Sequence, residues 1–222
     1  MNTIIGLIII AIGSMGQSSS YVPINKVKDW SWENFWLVQG VFAWLVFPIL
    51  GALLANSAPE LMRIYGANAG AAWQSMGYGV LWGIGGLTFG LSMRYLGIAL
   101  GQSVALGTCA AFGTLIPAVI AGEDLFSPKG LVLLLAVAVT LVGIALVGYA
   151  GSLRSKNMSE EERRKAIKDF ALKKGLLIAL FAGVMSACFS LGLSAGIPVK
   201  EAAIAAGAKE IFAQNPVTLL VT

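Results

Sequence analysis

The chain has 222 residues, 57% of them apolar and only 12% charged, with a net charge of +4 and a mean hydropathy of +0.81. Soluble domains carry roughly a quarter of their residues as charged side chains, so this composition excludes an ordinary water-soluble fold and points to lipid as the solvent. The sequence holds no histidine, which removes the usual metal-site clusters and the Ser-His-Asp or Cys-His pairings of hydrolases; neither an enzyme nor a metal site is expected.

Apolar stretches of about 20 residues match the thickness of a bilayer core, and they are predicted as membrane helices near 3–22, 35–55, 71–95, 98–121, 130–150 and 174–197. The first has no Lys or Arg before it and no small-residue cleavage site after it, so it is expected to stay in the mature protein rather than act as a cleaved signal. It ends in a polar group, Gln17, Ser18, Ser19, Ser20 and Tyr21. The second opens at Glu33 and carries Trp36 and Gln39 early in its course.

Spans three and four contain Trp82, Thr88, Gln102 and Ser103, and they hold the densest glycine of the chain. Gly79/Gly83, Gly86/Gly90 and Gly97/Gly101 are spaced four apart, a spacing that lets helix backbones approach closely in lipid. Any single pair reads most simply as close packing, whereas the cluster suggests helices that slide or bend, as alternating access requires. Arg94 closes the third span. Holding its charge at mid-membrane would cost about 2.5–3.5 kcal/mol, so it either reaches the interface or meets a partner.

The connection after the fifth span is basic: Arg154, Lys156, Arg163, Arg164, Lys165, Lys168, Lys173 and Lys174 account for eight of the fifteen Lys and Arg. With Lys26, Lys28 and Arg94 they make eleven cations on one side, against Arg63, Lys129, Lys200 and Lys209 on the other. The positive-inside rule then places 151–173 in the cytoplasm and the N-terminus outside. The positive charge is thereby explained by topology, and no nucleic-acid partner is expected. Ser159 with Glu162 has capping-box spacing, and Glu160–Arg164 and Glu161–Lys165 are favourable four-residue pairs. A short surface helix is predicted there, as a solvated linker in preference to an anionic-lipid contact. The Asn157-Met158-Ser159 sequon would not be glycosylated on that side. Cys109 and Cys188, both inside spans, are expected to serve packing.

The sixth span repeats the first. Ile4 to Ser20 and Lys174 to Ser190 align without a gap at an offset of 170 residues, sharing Leu7/Leu177, Ile8/Ile178, Gly13/Gly183, Met15/Met185 and Ser20/Ser190. Five crossings separate the copies, and an odd number inverts the second in the bilayer, the mark of an inverted-repeat transporter. The expected organisation is a first five-helix repeat over 1–150, a basic linker over 151–173 and the start of a second repeat over 174–222.

Polar groups inside the spans face a cavity or another helix, because hydrocarbon offers them no partner. Amides, hydroxyls and indoles are what an uncharged sugar needs, as hydrogen-bond partners for its hydroxyls and a flat face for its C–H surface. Gln17, Ser20, Gln39 and Gln102 are assigned to hydrogen bonding, Trp82 or Trp36 to stacking, with Tyr21 beside them, and Glu33 and Arg94 to coupling or gating. A lone serine in such a helix more often bonds its own backbone.

Two stretches, Tyr21-Val-Pro-Ile-Asn-Lys-Val-Lys-Asp-Trp-Ser-Trp-Glu33 and Leu81-Trp-Gly-Ile-Gly-Gly-Leu-Thr-Phe-Gly-Leu-Ser-Met-Arg-Tyr-Leu-Gly97, resemble motifs of the bacterial L-rhamnose–proton symporter family. The run from Arg94 to Pro117, then Gly122-Glu123 and the Gly-rich fifth span, is similar to the wider drug/metabolite transporter superfamily. The resemblance covers essentially the whole chain. It implies an all-α membrane fold of ten helices in two inverted five-helix units, of which about six lie here. It also implies a centrally bound sugar, L-rhamnose or a related deoxy sugar, uptake across the inner membrane, and a proton as coupling ion with no cofactor. The chain departs from that pattern by ending after six spans. Asn215-Pro-Val-Thr-Leu-Leu-Val-Thr222 reads as the opening of a seventh, so a truncated product or fragment is expected, and a homodimer if 222 residues suffice for transport. The superfamily is thought to begin inside the cell; the charge count here says outside. Two other readings stand beside sugar symport: an exporter or permease for another small metabolite, and a non-transporting membrane protein that binds a partner.

Overall fold

Helix follows helix through residues 3–19, 30, 32–157 and 171–222, which the structure, a computed structural model, describes. The chain divides into two units, 1–47 and 48–222. The first contains α1 (Thr3–Ser19), α2 (Trp32–Gly40) and a π-helical stretch, Val41–Val46, that leads into α3 (Phe47–Ala55). Helix α1 is apolar on all faces and exposed at nearly every described position, as suits a helix surrounded by lipid or by other membrane helices. The π-helical stretch has a local cause. Pro48 offers no N–H and its ring crowds the carbonyl four residues back; an extra residue in the turn relieves this, and the Phe47 N–H reaches the Phe42 carbonyl instead. Gly40 makes the turn fit, since a Cβ there would lie 2.8 Å from the Trp44 ring.

The second unit comprises the rest of α3 and α4 (Ala58–Ala67), α5 (Ala69–Leu96), α6 (Ile98–Ile120), α7 (Pro128–Lys156), α8 (Leu172–Ala195), α9 (Ile197–Ala205) and α10 (Asn215–Val221). Over its described residues every predicted span coincides with helix, giving the all-α membrane fold expected. Among the described residues, four stretches are long and apolar enough to cross a membrane by themselves: Leu37–Ala55, Leu100–Ile120, Pro128–Ala150 and Leu172–Ala205. Thr3–Gly16 is a shorter apolar helix. Helix α5 has the length, but Gln74, Ser75, Tyr78, Thr88 and Arg94 dilute its apolarity.

Helix α8 seats along α5 and also against α6, while α7 packs on α6. Lipid supplies no hydrophobic force between helices, so close backbone approach has to bring them together. A Cβ at Gly85 of α5 would stand 2.7 Å from the Ser186 nitrogen, and one at Gly183 of α8 2.6 Å from the Ala105 carbonyl. Ala179 and Ala182 are wholly buried in the same seam. The four-residue glycine pairs are not the seam. Gly83, Gly86 and Gly90 meet nothing within 4 Å; Gly79 touches the Val221 carbonyl, and Gly101 lies on the Ser92–Met93 backbone. Gly97, at φ +79°, is the single residue that turns α5 into α6, a conformation open to glycine and strained for other residues.

At the other end of α5, the short helices α4, α9 and α10 form a cap around Ile64, Val199, Ala203, Ala208, Val217 and Val221. Side chains tie this cap to backbone carbonyls far away in sequence. The Asn56 amide donates to the carbonyls of Ala203 (3.2 Å) and Ala206 (3.5 Å), Tyr65 Oη to that of Pro216 (3.0 Å), Ser75 Oγ to that of Gly192 (2.9 Å) and the Asn215 amide to that of Gly51 (3.0 Å). Arg63, Lys200 and Lys209 lie at this end. Arg94, Lys173 and Lys174 lie at the opposite one, where the Ala171 N–H donates to the Tyr95 carbonyl (3.3 Å) and the Lys174 ammonium stands over the Tyr95 ring at 4.6 Å. For these six cations the two ends agree with the grouping made from sequence. The predicted surface helix over 159–165 lies outside the described residues, as does the sequon beyond Asn157.

Asn56 is 5% exposed, and its loss leaves two carbonyls at the end of α9 without this donor. Asn56→Ala is expected to cost about 1–3 kcal/mol, read as a lower thermal midpoint of the detergent-solubilised protein. Asn56→Asp should not restore it, because a carboxylate cannot donate; full rescue by Asp would contradict the assignment.

Candidate functional site

The residues singled out from sequence fall in three places. Gln17 lies in the last turn of α1, and Glu33 and Trp36 in α2, with their side chains outside the described residues, as are Ser20 and Tyr21 altogether. Gln39, near the end of α2, is half-buried, and its Oε1 is enclosed with no hydrogen-bond partner among the described residues. Trp82, Arg94 and Gln102 belong to the second unit. Arg94 is exposed in the last turn of α5, and Gln102 is half-buried in the second turn of α6. At 1.5 Å per residue, Arg94 sits about 18 Å and Gln102 about 15 Å along the helix axes from Trp82. These two therefore belong to one end of the helices and Trp82 to their middle.

At the level of Trp82, α8 supplies partners that sequence reasoning missed. One turn of it, Ser186 to Ser190, bridges both neighbours: Ser186 lies against Gly85 of α5, Ser190 against Gly113 of α6, and Phe189 against Trp82 with ring centroids 5.1 Å apart at 54°. Residues three and four apart share a helix face, which is why this turn reaches α5 and α6 together. A signal for it existed in the repeat, since Ser190 is the counterpart of Ser20. Thr88 and Thr108 spend their hydroxyls on their own helices, on Ile84 and Val104 (2.9 and 2.8 Å). The glycines at 85 and 113 let serine-bearing backbone come close, and Trp82, half-buried, offers a flat surface. An aromatic platform with nearby hydroxyls is an arrangement that suits a neutral polyol.

A groove of about 520 Å³ between α6 and α7 and an apolar one of about 250 Å³ along α6 lie elsewhere. The first is lined by Ser103, Thr108, Ile144 and Tyr149, the second by Phe112, Leu115 and Ile116, among others. Neither holds a candidate sugar-binding residue. Both are open crevices on helix surface. No group of His, Cys, Asp and Glu among the described residues could hold a metal ion. In the cap, burial pushes the Tyr65 phenol up to about 12, so it stays a donor to the Pro216 carbonyl through the physiological range. The exposed Glu60 carboxyl is held below its usual range by hydrogen bonds from the Ser57 hydroxyl and backbone.

Compared with known proteins, the whole chain, residues 1–222, matches the family described as L-rhamnose-proton symport protein (RhaT). The chain belongs to the L-rhamnose–proton symporter family. The L-rhamnose-proton symporter of Yersinia pestis bv. Antiqua is 35% identical over 217 residues, which cover 96% of this chain and 61% of the relative. That of Yersinia pseudotuberculosis serotype O:1b gives the same identity and coverage. The chain thus spans about three-fifths of the length of the curated relatives it matches. No solved structure matches it significantly. Membership makes this a multi-pass membrane protein of a symporter family, not of an enzyme family, as the resemblance of the motifs around Glu33 and Arg94 implied.

Proposed function

We propose that the chain takes part in proton-coupled uptake of L-rhamnose or a related deoxy sugar across the bacterial inner membrane. The observation that carries this reading is the match of all 222 residues to the L-rhamnose-proton symport family, and the Trp82–Phe189 station is the feature that fits a sugar. In this reading Trp82 stacks on the C–H face of the sugar, Gln17, Ser20, Gln39 and Gln102 bond its hydroxyls, and Trp36 and Tyr21 complete the wall. Arg94 and Glu33 gate the path or couple it to the proton. The 151–173 connection is cytoplasmic, residues 1–150 form one five-helix repeat and 174–222 open its inverted copy. If the chain transports unaided, it does so as a homodimer.

The test is the external pH of lightly buffered, energy-depleted cells as L-rhamnose is added. Cells make either this chain or a longer version that adds the remaining two-fifths of a relative. Alkalinisation is expected with the longer version, and alkalinisation with both means that 222 residues suffice. No response from either, with membrane insertion verified, overturns sugar–proton symport.

A further inference from the structure

The Trp82 indole is not held by α5 alone. Phe189 packs on it, and the same Phe189 side chain packs against the cap cluster of Ile64, Val199, Ala203, Val217 and Val221. Its backbone has little freedom: Ala187 and Cys188, the two residues before it, are 2% and 5% exposed, and Ser186 is in backbone contact range of Gly85. A phenyl ring fixed at its root and wedged between an indole and a packed cluster transmits changes in one to the other, because close-packed interiors yield in discrete steps rather than continuously. The 54° tilt between the rings leaves them in a tilted contact instead of a sandwich, an arrangement aromatic pairs favour.

We propose that Phe189 is a positioning residue for Trp82: it holds the indole in the orientation that receives the sugar and ties that orientation to the seating of α9 and α10. This rests on Trp82 being the stacking residue of the proposed function. Movement of the cap then alters how well the site grips its sugar.

The experiment uses the full chain in lipid nanodiscs and follows tryptophan emission as L-rhamnose is added. The starting protein is compared with Trp82→Phe, Phe189→Leu and Phe189→Tyr, each checked for a monodisperse folded peak. A rhamnose-dependent change that vanishes in Trp82→Phe is expected. In Phe189→Leu the sugar concentration for half the change should rise about threefold to tenfold, the range that loss of an aromatic pair predicts, and in Phe189→Tyr, which keeps the ring, it should return towards the starting value. The part of the emission that Trp82→Phe removes should also shift in Phe189→Leu before any sugar is present. A Trp82-dependent response with unchanged affinity and unshifted emission in Phe189→Leu overturns the role of Phe189 while leaving the sugar reading intact. Absence of any Trp82-dependent response in the starting protein removes the sugar-stacking role itself and the inference with it.

Discussion

Gly85→Leu unseats α8 from α5. A Cβ at that position already stands 2.7 Å from the Ser186 nitrogen and 3.0 Å from the Met185 carbonyl carbon, so the obstacle is backbone and cannot swing aside as a side-chain tip would. Overpacking a fitted interior costs about 1–3 kcal/mol and occasionally more, and here the clash lies in the main helix seam of the unit. The expected result is loss of most of the monodisperse peak on size exclusion after mild heating in detergent. At Gly83, two residues away on the same helix, a Cβ meets nothing within 4 Å, and Gly83→Leu should behave as the starting protein. Equal survival of the two variants would refute the seam. The comparison also separates the two meanings of a glycine in this chain, since the gain in helix propensity from Gly to Leu is the same at both positions and only the neighbour differs.

Trp82→Ala is expected to reduce rhamnose-dependent proton flux to background while leaving membrane insertion unchanged. The indole is half-buried and paired with Phe189, so truncation removes both the platform for the sugar and the partner of that ring. The helix itself keeps its place, because the contacts that seat it run through Gly85, Ser75 and Gly79 instead. Flux measured in the longer version, with surface-exposed protein quantified in parallel, decides the matter: normal flux at normal abundance ends the assignment of Trp82.

The long helices were legible because each is an apolar run of bilayer length bounded by charge or by Pro and Gly, whereas the short helices α4 and α9, too short to cross a bilayer, were not predicted. Glycine content was legible too, but its use was not. The spacing of Gly79/Gly83 and Gly86/Gly90 marked a seam, but of these four only Gly79 makes a close approach, to Val221 of the cap, and the contacts that seat α8 lie at Gly85, Gly175 and Gly183. Of the candidate site, Trp82 was singled out because an indole in a span is conspicuous. Phe189 was passed over because one more phenylalanine in an apolar helix carries no polar mark. Asn56, Tyr65 and Asn215 escaped for another reason: each sits at a helix end, where a polar side chain is ordinary, and only the distant carbonyl it reaches gives it meaning.

The sequence by itself determined that this is an all-helical membrane chain, where its spans fall, which end of the second unit gathers each group of cations, and, through the strings around Glu33 and Arg94, the symporter family. These depend on composition, length and local motif, which need no knowledge of neighbours. The tertiary structure alone decided that α8 wedges against α5 and α6, that Phe189 meets Trp82, and that Arg94 and Gln102 stand at a different level from the indole. The reason is physical. A helix apolar on every side has no face that water would drive inward, so its partners are chosen by the fit of small residues against a particular backbone, and that fit exists only once two helices are brought together.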